Sequence, residues 1–217
     1  MKNHKKPIIA TTLSGLFIKS EPWKKAHILW YRNAAEKLKD ESIMDWANRE
    51  DYFLGVDEVM KKLHPQMSKE NRVQKAREMF FDSVCEYIDK RPNLKNPQVI
   101  DYFRKLKENY KIALITTNTR KALDKILYSI HLVDFFDIKQ TSKVNEKDNK
   151  KIVFERFIKR YGKPIVYVGG DRKDSYSFCE ENKIPAIFAN FEKEKEILGI
   201  TSVHRLDELK IELGKFL

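Results

Sequence analysis

Short apolar runs alternate with amphipathic helical stretches through the second half of the chain, and this alternation restricts the fold more than any other feature. The runs predicted as strands lie at residues 111–116, 135–138, 164–168, 186–189 and 202–203. The stretches predicted as helices lie at residues 120–130, 150–161, 175–182 and 206–217. Alternation of this kind predicts a parallel sheet that is covered by helices on both faces.

One further strand precedes this region, and a long helical segment separates the two. Residues 7–13 form a short apolar run, typical of a buried parallel strand, that leads into a glycine turn. From residue 21 onward the pattern becomes helical. We therefore predict an α/β fold with a doubly wound parallel sheet and an inserted helical domain. The predicted bounds are 1–18 and 96–217 for the α/β core and 19–95 for the insertion.

The composition is that of a globular protein with an excess of positive charge. Hydrophobic residues make up 41% of the 217 residues, which is enough to form a buried core. Lysine and arginine number 43 against 32 acidic residues, and the net charge of +11 favours anionic partners. Solvated, lysine-rich helix faces account for the same charge without any partner.

Cysteine usage and the first residues bear on the cellular compartment. Cys85 and Cys179 lie far apart, without the spacing of a metal site, as expected for reduced thiols. The apolar run after the basic residues 1–6 is short and interrupted by threonine and serine, unlike a signal peptide. No apolar segment approaches the length of a membrane span. These features predict a cytoplasmic protein that does not act at a membrane.

Polar residues follow the predicted strands where open parallel sheets bind their ligands, beyond the carboxyl ends of the strands. The segments concerned are Thr12-Leu13-Ser14-Gly15, Thr116-Thr117-Asn118, the lysine-rich residues 143–151, and Gly169-Gly170-Asp171-Arg172-Lys173-Asp174. Because the carboxyl ends of parallel strands meet at one edge of the sheet, we expect the functional site there.

In this order, the four segments resemble the motifs of the haloacid dehalogenase-like superfamily. Its motifs are a strand ending in Asp-x-Asp-Gly-Thr, a strand ending in Thr or Ser and often followed by Asn, a lysine ahead of a helix, and a strand ending in Gly-Asp with a second acid a few residues on. The resemblance covers nearly the whole chain, and the helical insertion looks like the family's cap domain. It implies a Rossmann-like core with a cap and the activity of a phosphatase or related hydrolase.

The first motif departs from the family pattern at both catalytic aspartates. By the resemblance, Thr12 stands in the position of the nucleophile that forms an aspartyl-phosphate, and Ser14 in that of the general acid/base. A threonine hydroxyl needs a neighbouring base before it can attack phosphorus, and its phosphate ester is stable. A serine hydroxyl titrates far from neutral pH and exchanges protons poorly. Gly15 retains the turn of the motif.

The second motif implies groups that bind a phosphate. Thr116 or Thr117, together with Asn118, would hydrogen-bond a phosphate oxygen. Alternatively, the strand-end threonine caps the helix that begins at Arg120. Local sequence favours the two roles about equally.

The third motif implies a catalytic lysine ahead of a helix. Lys147 fits this position best, because the apolar face of the next helix begins shortly after it. Lys143 and Lys150 are alternatives in the same segment. In so lysine-rich a stretch, a solvated side chain is the competing role for each of them.

The fourth motif implies a magnesium site. Asp171 and Asp174 match the family's pair of metal-binding acids, but in another register Gly170 takes the first position and only Asp174 remains. The family's Mg²⁺ is also bound by the first-motif aspartate, whose position Thr12 holds. Mg²⁺ is dehydrated reluctantly and uses few protein carboxylates, so the loss of one predicts weak binding.

These observations predict a degenerate phosphatase that binds a phosphorylated or other anionic small ligand with little or no turnover. The expected site residues are Thr12, Ser14 and Lys147 at catalytic positions, Gly15, Thr116, Thr117 and Asn118 around the ligand, and Asp171 and Asp174 at a weak Mg²⁺ position. One alternative is an active phosphomonoester hydrolase that uses Asp171 and Asp174 in an atypical mechanism. Another is a non-enzymatic protein that binds RNA or an acidic partner through its basic face, with a steep salt dependence.

Overall fold

The computed structural model describes residues 6–143, 146, 149–170 and 172–217. Within these residues one sheet contains the strands β1 Ile8–Thr11, β2 Lys111–Thr119, β3 Ile138–Ser142, β4 Val166–Gly169, β5 Ala186–Ala189 and β6 Thr201–Val203. The strand pairs are all parallel. The predicted α/β fold with a doubly wound parallel sheet is confirmed.

Helices lie both between β1 and β2 and after β2 in the described chain. They are α1 Glu21–Leu38, α2 Met44–Ala47, α3 Phe53–Leu63, α4 Lys69–Asp89, α5 Pro97–Leu106, α6 Arg120–Ser129, α7 Lys150–Tyr161, α8 Lys173–Glu181 and α9 Leu206–Gly214. Ser68 caps α4, because its hydroxyl accepts the N–H of Asn71 at 3.3 Å. In the described part of the chain, no helix combines the length and the apolar character needed to cross a bilayer.

The strand order positions the site. The sheet runs β3-β2-β1-β4-β5-β6, so β1 lies between β2 and β4. Ile9 of β1 pairs with Ile112 of β2 on one side and with Val166 of β4 on the other. The chain first builds outward from β1 through β2 and then returns to its other side with β4. Ligands of such sheets bind in the crevice that this reversal creates at the carboxyl ends.

The chain divides into two compact units. The first, here the sheet unit, takes in the chain up to Ser20, Asn93–Leu123 and His131–Leu217. The second, here the helical unit, takes in Glu21–Pro92 and Asp124–Ile130. The C-terminal part of α6 therefore belongs to the helical unit.

Apolar strands and aromatic helix residues form the core of the sheet unit. The side chains of β1 and β4 are buried throughout. The ring of Phe154 on α7 packs against Tyr167 of β4 and Phe178 of α8, at centroid distances of 5.1 and 5.0 Å. Burial of these residues fixes α7 and α8 on the sheet, and both helices begin near the carboxyl ends of strands.

A separate core holds the helical unit together. It contains Trp30 and Tyr31 of α1 with Val59 and Met60 of α3, all buried. The Tyr31 hydroxyl donates a hydrogen bond to the carbonyl of Tyr52. Desolvation by burial raises the pKa of Tyr31 to about 12. The helical unit thus has its own packed interior.

One strand was predicted in the wrong place. The sequence indicated a strand at residues 135–138, but β3 begins only at Ile138. Phe135 lies in a turn and Phe136 directly follows it, and their rings pack edge-on against Phe17 at 5.4 and 5.2 Å. Both side chains pack into the core from outside the strand. A short apolar run in the sequence does not distinguish such a turn from a buried strand.

Short elements and a strand end were also missed. The sequence pattern did not predict the 3₁₀ turn at Glu41–Ile43 or the single-turn helix α2. Strand β2 continues to Thr119, three residues beyond its predicted end. The extension matters for function, because it places the polar residues of the second motif on the strand itself.

Candidate functional site

The residues after β1 are buried hydroxyls. The N–H of Thr12 donates to the carbonyl of Val168 at 3.2 Å, which continues the pairing with β4 past the end of β1. Thr12 and Ser14 are 5% and 7% exposed. Next to them, the Thr11 hydroxyl donates to the carbonyl of Ala113 at 2.9 Å. The carboxyl end of β1 is therefore a polar, uncharged surface that is mostly closed to solvent.

The Ser14 hydroxyl has no hydrogen-bond partner among the described residues. Burying a hydroxyl without a partner is unfavourable by about 1–3 kcal/mol. Native structures rarely leave such groups unpaired, so each one calls for an explanation. A ligand oxygen or an ordered water at the end of β1 would satisfy it.

A glycine turn follows and makes a close backbone contact with the fourth motif. Gly15 has φ +74°, a conformation that favours glycine, and its N–H donates to the carbonyl of Ile18 at 2.7 Å. A Cβ atom on Gly15 would lie 2.5 Å from the carbonyl oxygen of Gly170. A Cβ on Gly170 would lie 2.5 Å from the carbonyl oxygen of Ser14. Neither position has room for a side chain while the two turns touch.

The second motif lies at the end of β2. Thr116 and Asn118 are buried, and the N–H of Asn118 donates to the Thr116 hydroxyl at 3.1 Å. The helix-capping role considered for Thr116 or Thr117 belongs to Thr119 instead, whose hydroxyl accepts the N–H of Ala122 at 3.4 Å. The Thr117 hydroxyl instead accepts a hydrogen bond from another motif.

Thr117 contacts an arginine from the fourth motif. Arg172 follows β4 and donates from Nη1 to the Thr117 hydroxyl at 3.2 Å. The same guanidinium binds both carboxylate oxygens of Asp174, from Nε to Oδ1 at 3.0 Å and from Nη2 to Oδ2 at 2.7 Å. Arginine pairs with carboxylates best in this two-bond arrangement. The side chains of Arg172 and Asp174 are 32% and 42% exposed.

A buried lysine reaches the same edge of the sheet from α7. Lys150 is 2% exposed, and its Nζ donates to the carbonyl of Ile115 at 2.5 Å, just before the second motif. Lysine is rarely buried this deeply without a specific role. Burial raises the pKa of the nearby Cys179 thiol to about 12, and the positive charge of Lys150 opposes that rise. Lys143 is exposed, and Lys147 lies outside the described residues.

A glutamate in the third segment is held by its neighbours. Both Glu146 oxygens accept from Arg156, one of them from Nη2 at 2.8 Å. The hydroxyl of Ser142 and the N–H of Lys143 also donate to Glu146, at 2.9 and 3.0 Å. Hydrogen bonding by Arg156 is the main cause that lowers the pKa of Glu146 to about 2. These four residues are here called the Glu146 cluster.

The described residues do not fit a magnesium ion at this edge. Among them, no group of three or more His, Cys, Asp or Glu residues is arranged so that it could hold a metal ion. Asp174 has both oxygens on Arg172, and a side chain at position 170 is excluded by the turn of the first motif. Asp171 lies outside the described residues. Mg²⁺ is held mainly through carboxylates, and the described groups here are neutral hydroxyls, the Asn118 amide and cations beside the single carboxylate of Asp174.

The structure thus brings most of the predicted residues to one edge of the sheet. The strand-end site, as the name is used below, consists of Thr12, Ser14, Gly15, Thr116, Thr117, Asn118, Lys150, Gly170, Arg172 and Asp174. Sequence reasoning missed Arg172, which stood unremarked between two aspartates. An arginine flanked by the acids of a metal motif is the signal that could have found it, since a cation there competes for the same carboxylates.

Comparison with known proteins finds similarity only among solved structures. No protein-family model and no curated protein matches the sequence. The HAD phosphatase from Thermococcus onnurineus is 19% identical with a TM-score of 0.60, covering 97% of this chain and 98% of that chain. The HAD-hydrolase YfnB from Bacillus subtilis, bound to magnesium, is 13% identical with a TM-score of 0.60, covering 97% and 99%.

A third similar structure contains a bound anion. CbbY from Rhodobacter sphaeroides, in complex with phosphate, is 11% identical with a TM-score of 0.62, covering 94% of this chain and 96% of that chain. The chain therefore has the fold of the haloacid dehalogenase-like hydrolases over nearly its full length. This confirms the fold that the four motifs implied.

Proposed function

We propose that this protein binds a phosphorylated or other small anionic ligand at the strand-end site with little or no turnover. The fold supports an anionic ligand, since the similar structures include a phosphatase and a complex with phosphate. The proposal departs from those proteins on chemistry. Function does not follow from fold alone, so the argument rests on the residues of the site.

The observation that carries the proposal is the buried, carboxylate-free end of β1. Thr12 and Ser14 stand where the family's nucleophile and acid/base would be, and both are buried. In the described site the one carboxylate, Asp174, is bound to Arg172 and so is poorly placed to take a proton from a threonine. Binding an anion requires neither a nucleophilic carboxylate nor a general acid/base, whereas phosphoryl transfer to an enzyme carboxylate requires both.

The groups that remain suit an anion. Ser14 offers a buried hydroxyl that lacks a described partner, and Lys150 brings a buried positive charge to the end of β2. In a site with little water, both interactions are stronger than they would be at the surface. We assign the third-motif role to Lys150 on this basis, while Lys147 stays a prediction.

Several broader features form part of the same proposal. Segment 19–95 would be the cap domain that the resemblance implies, and residues 1–18 and 96–217 would be the core. Magnesium binding would be weak, because the carboxylates that hold it are absent or already paired. A cytoplasmic location agrees with the two cysteines, which are free thiols.

Calorimetric titration with inorganic phosphate, combined with a p-nitrophenyl phosphate assay in Mg²⁺, tests the proposal. We expect phosphate to bind and no ester to be hydrolysed. Lys150→Met should lower phosphate affinity at least about tenfold, as removal of a charge-assisted hydrogen bond would. The matched control is Lys151→Met, because Lys151 is exposed on the same helix and pairs with Glu181.

Two results would count against the proposal. The first is the absence of any phosphate binding by the folded wild-type protein. The second is hydrolysis that Asp174→Asn abolishes and Thr12→Ala does not, which would indicate an active hydrolase working from the fourth motif. Thermal unfolding of each variant shows whether a loss of binding reflects a loss of fold.

A further inference from the structure

We propose that the guanidinium of Arg172 takes the place of a metal ion in the strand-end site, so that the site binds its anion without any divalent cation. This inference rests on the proposed function and names the residue and the charge that carry it. It concerns how the anion is held, and so it can fail while anion binding itself stands.

The position of Arg172 supports this role. Its backbone follows β4, yet its Nη1 atom donates to Thr117 on β2. Because β1 lies between β2 and β4, this contact has to pass beyond the carboxyl end of β1. The guanidinium therefore bridges the strand end that carries Thr12, where an anion in the crevice of the sheet would sit.

The arginine is also held in one orientation. Its two hydrogen bonds to Asp174, at 3.0 and 2.7 Å, and the third to Thr117, at 3.2 Å, come from three different nitrogen atoms. A planar group held on three sides loses little further freedom when a ligand binds. The Thr117 hydroxyl accepts from a cation, which strengthens it as a donor toward another acceptor.

The same contacts place Arg172 in competition with a metal ion at Asp174. Both oxygens of Asp174 are engaged by the guanidinium, so a cation could bind them only by displacing it. The contact between Gly15 and Gly170 leaves no room for a carboxylate side chain at position 170. An arginine keeps its charge at all physiological pH values and needs no metal supply.

Titration with inorganic phosphate in EDTA and in excess MgCl₂ tests this inference. We expect the wild-type dissociation constant to be the same, within about twofold, in the two buffers. Arg172→Met should weaken phosphate binding at least about tenfold, the loss of one charge-assisted contact. The control Lys173→Met removes the same charge from an exposed neighbour and should change affinity less than about twofold.

Arg172→Lys serves as a second variant if Arg172→Met does not fold. It keeps the charge and loses the planar fork, so we expect a loss of about threefold or more. Wild-type affinity in either arginine variant would overturn the role of Arg172, and so would binding that EDTA abolishes and Mg²⁺ restores. In both cases the wild-type protein still binds phosphate and the proposed function stands. If the wild-type protein binds no phosphate in either buffer, the proposed function itself fails.

Discussion

Two regions of the sheet unit each contain a carboxylate paired with an arginine, and the two pairs have different roles. In the Glu146 cluster the carboxylate accepts from Arg156, Ser142 and Lys143 and is 14% exposed. In the strand-end site Asp174 accepts from Arg172 and is 42% exposed. The arginine of the first pair closes a loop onto a helix, whereas the arginine of the second reaches over a strand end.

The difference shows how burial and the number of partners divide structural from functional ion pairs. Removing one partner of a mostly buried carboxylate is strongly destabilising, because the charge that remains has little water to solvate it. A half-exposed pair contributes little to folding, since water replaces the lost partner. We therefore expect changes in the Glu146 cluster to affect stability, and changes of charge in the strand-end site to affect ligand binding.

The largest effect on stability should nevertheless come from a glycine of the strand-end site. A Cβ at Gly170 would press on the backbone of Ser14 and Gly15, which cannot move aside as a side chain can. Gly170→Ala should lower the free energy of unfolding by about 3 kcal/mol, measured by urea unfolding. Gly214→Ala is the control, because nothing lies within 4 Å of the added atom, and it should be neutral or slightly stabilising. A stable Gly170→Ala would mean that the two turns are not packed as described.

The next largest effect should come from the arginine of the Glu146 cluster. Arg156→Met removes its hydrogen bonds to Glu146 and to the carbonyl of Thr141 and leaves the carboxylate short of a partner. We expect a loss of about 2 kcal/mol in urea unfolding with phosphate affinity unchanged. Lys159→Met, an exposed cation on the same helix, should cost less than about 0.5 kcal/mol. Loss of phosphate binding in a folded Arg156→Met protein would show that the Glu146 cluster also contributes to ligand binding.

The Glu146 cluster should also make stability depend on acid pH. The folded pKa of Glu146 is about 2, below its ordinary value of 4.5, so the ionised form is favoured by folding. Its contribution is fully present above about pH 4.5 and is lost as the pH falls from there toward 2. The unfolding free energies of wild type and Glu146→Gln should differ on the order of 2 kcal/mol at pH 6 and converge near pH 2. A constant difference across this range would show that the charge of Glu146 is not what stabilises the fold.

The smallest change should follow from the exposed acid of the strand-end site. Asp174→Asn should lower the free energy of unfolding by less than about 1 kcal/mol, because its pair with Arg172 is open to water. Urea unfolding of Asp174→Asn beside Glu146→Gln at pH 6 gives a direct comparison. If Asp174→Asn proved the more destabilising of the two, exposure would not be the property that separates the two pairs.

The fold could be predicted because its information is local. Alternating apolar and amphipathic runs fixed the α/β class, and the bounds of α7 are those expected, 150–161. The strand at β3 was misplaced because Phe135 and Phe136 are apolar residues that pack into the core from outside the strand. Such a distinction depends on which residues come to lie opposite, and a sequence pattern does not contain that.

The sequence predicted where the site lies but not all of the residues that form it. Thr12 and Ser14 were found because their position after a strand is readable from sequence. The role of Arg172 depends on β2 and β4 flanking β1, a strand order that only the folded sheet reveals. Sequence favoured Lys147 among the three candidate lysines of the third segment, with Lys143 and Lys150 as alternatives. The structure shows that Lys150 is buried and Lys143 is exposed, whereas Lys147 lies outside the described residues.

The contact between the first and fourth turns has a consequence for the substitutions open to this chain. A mutation that placed an acid at position 170 would bring its Cβ atom against the backbone of Ser14 and Gly15. Such a variant would be poorly folded and would be removed by cellular quality control. Position 170 is therefore closed to substitution as long as the two turns touch.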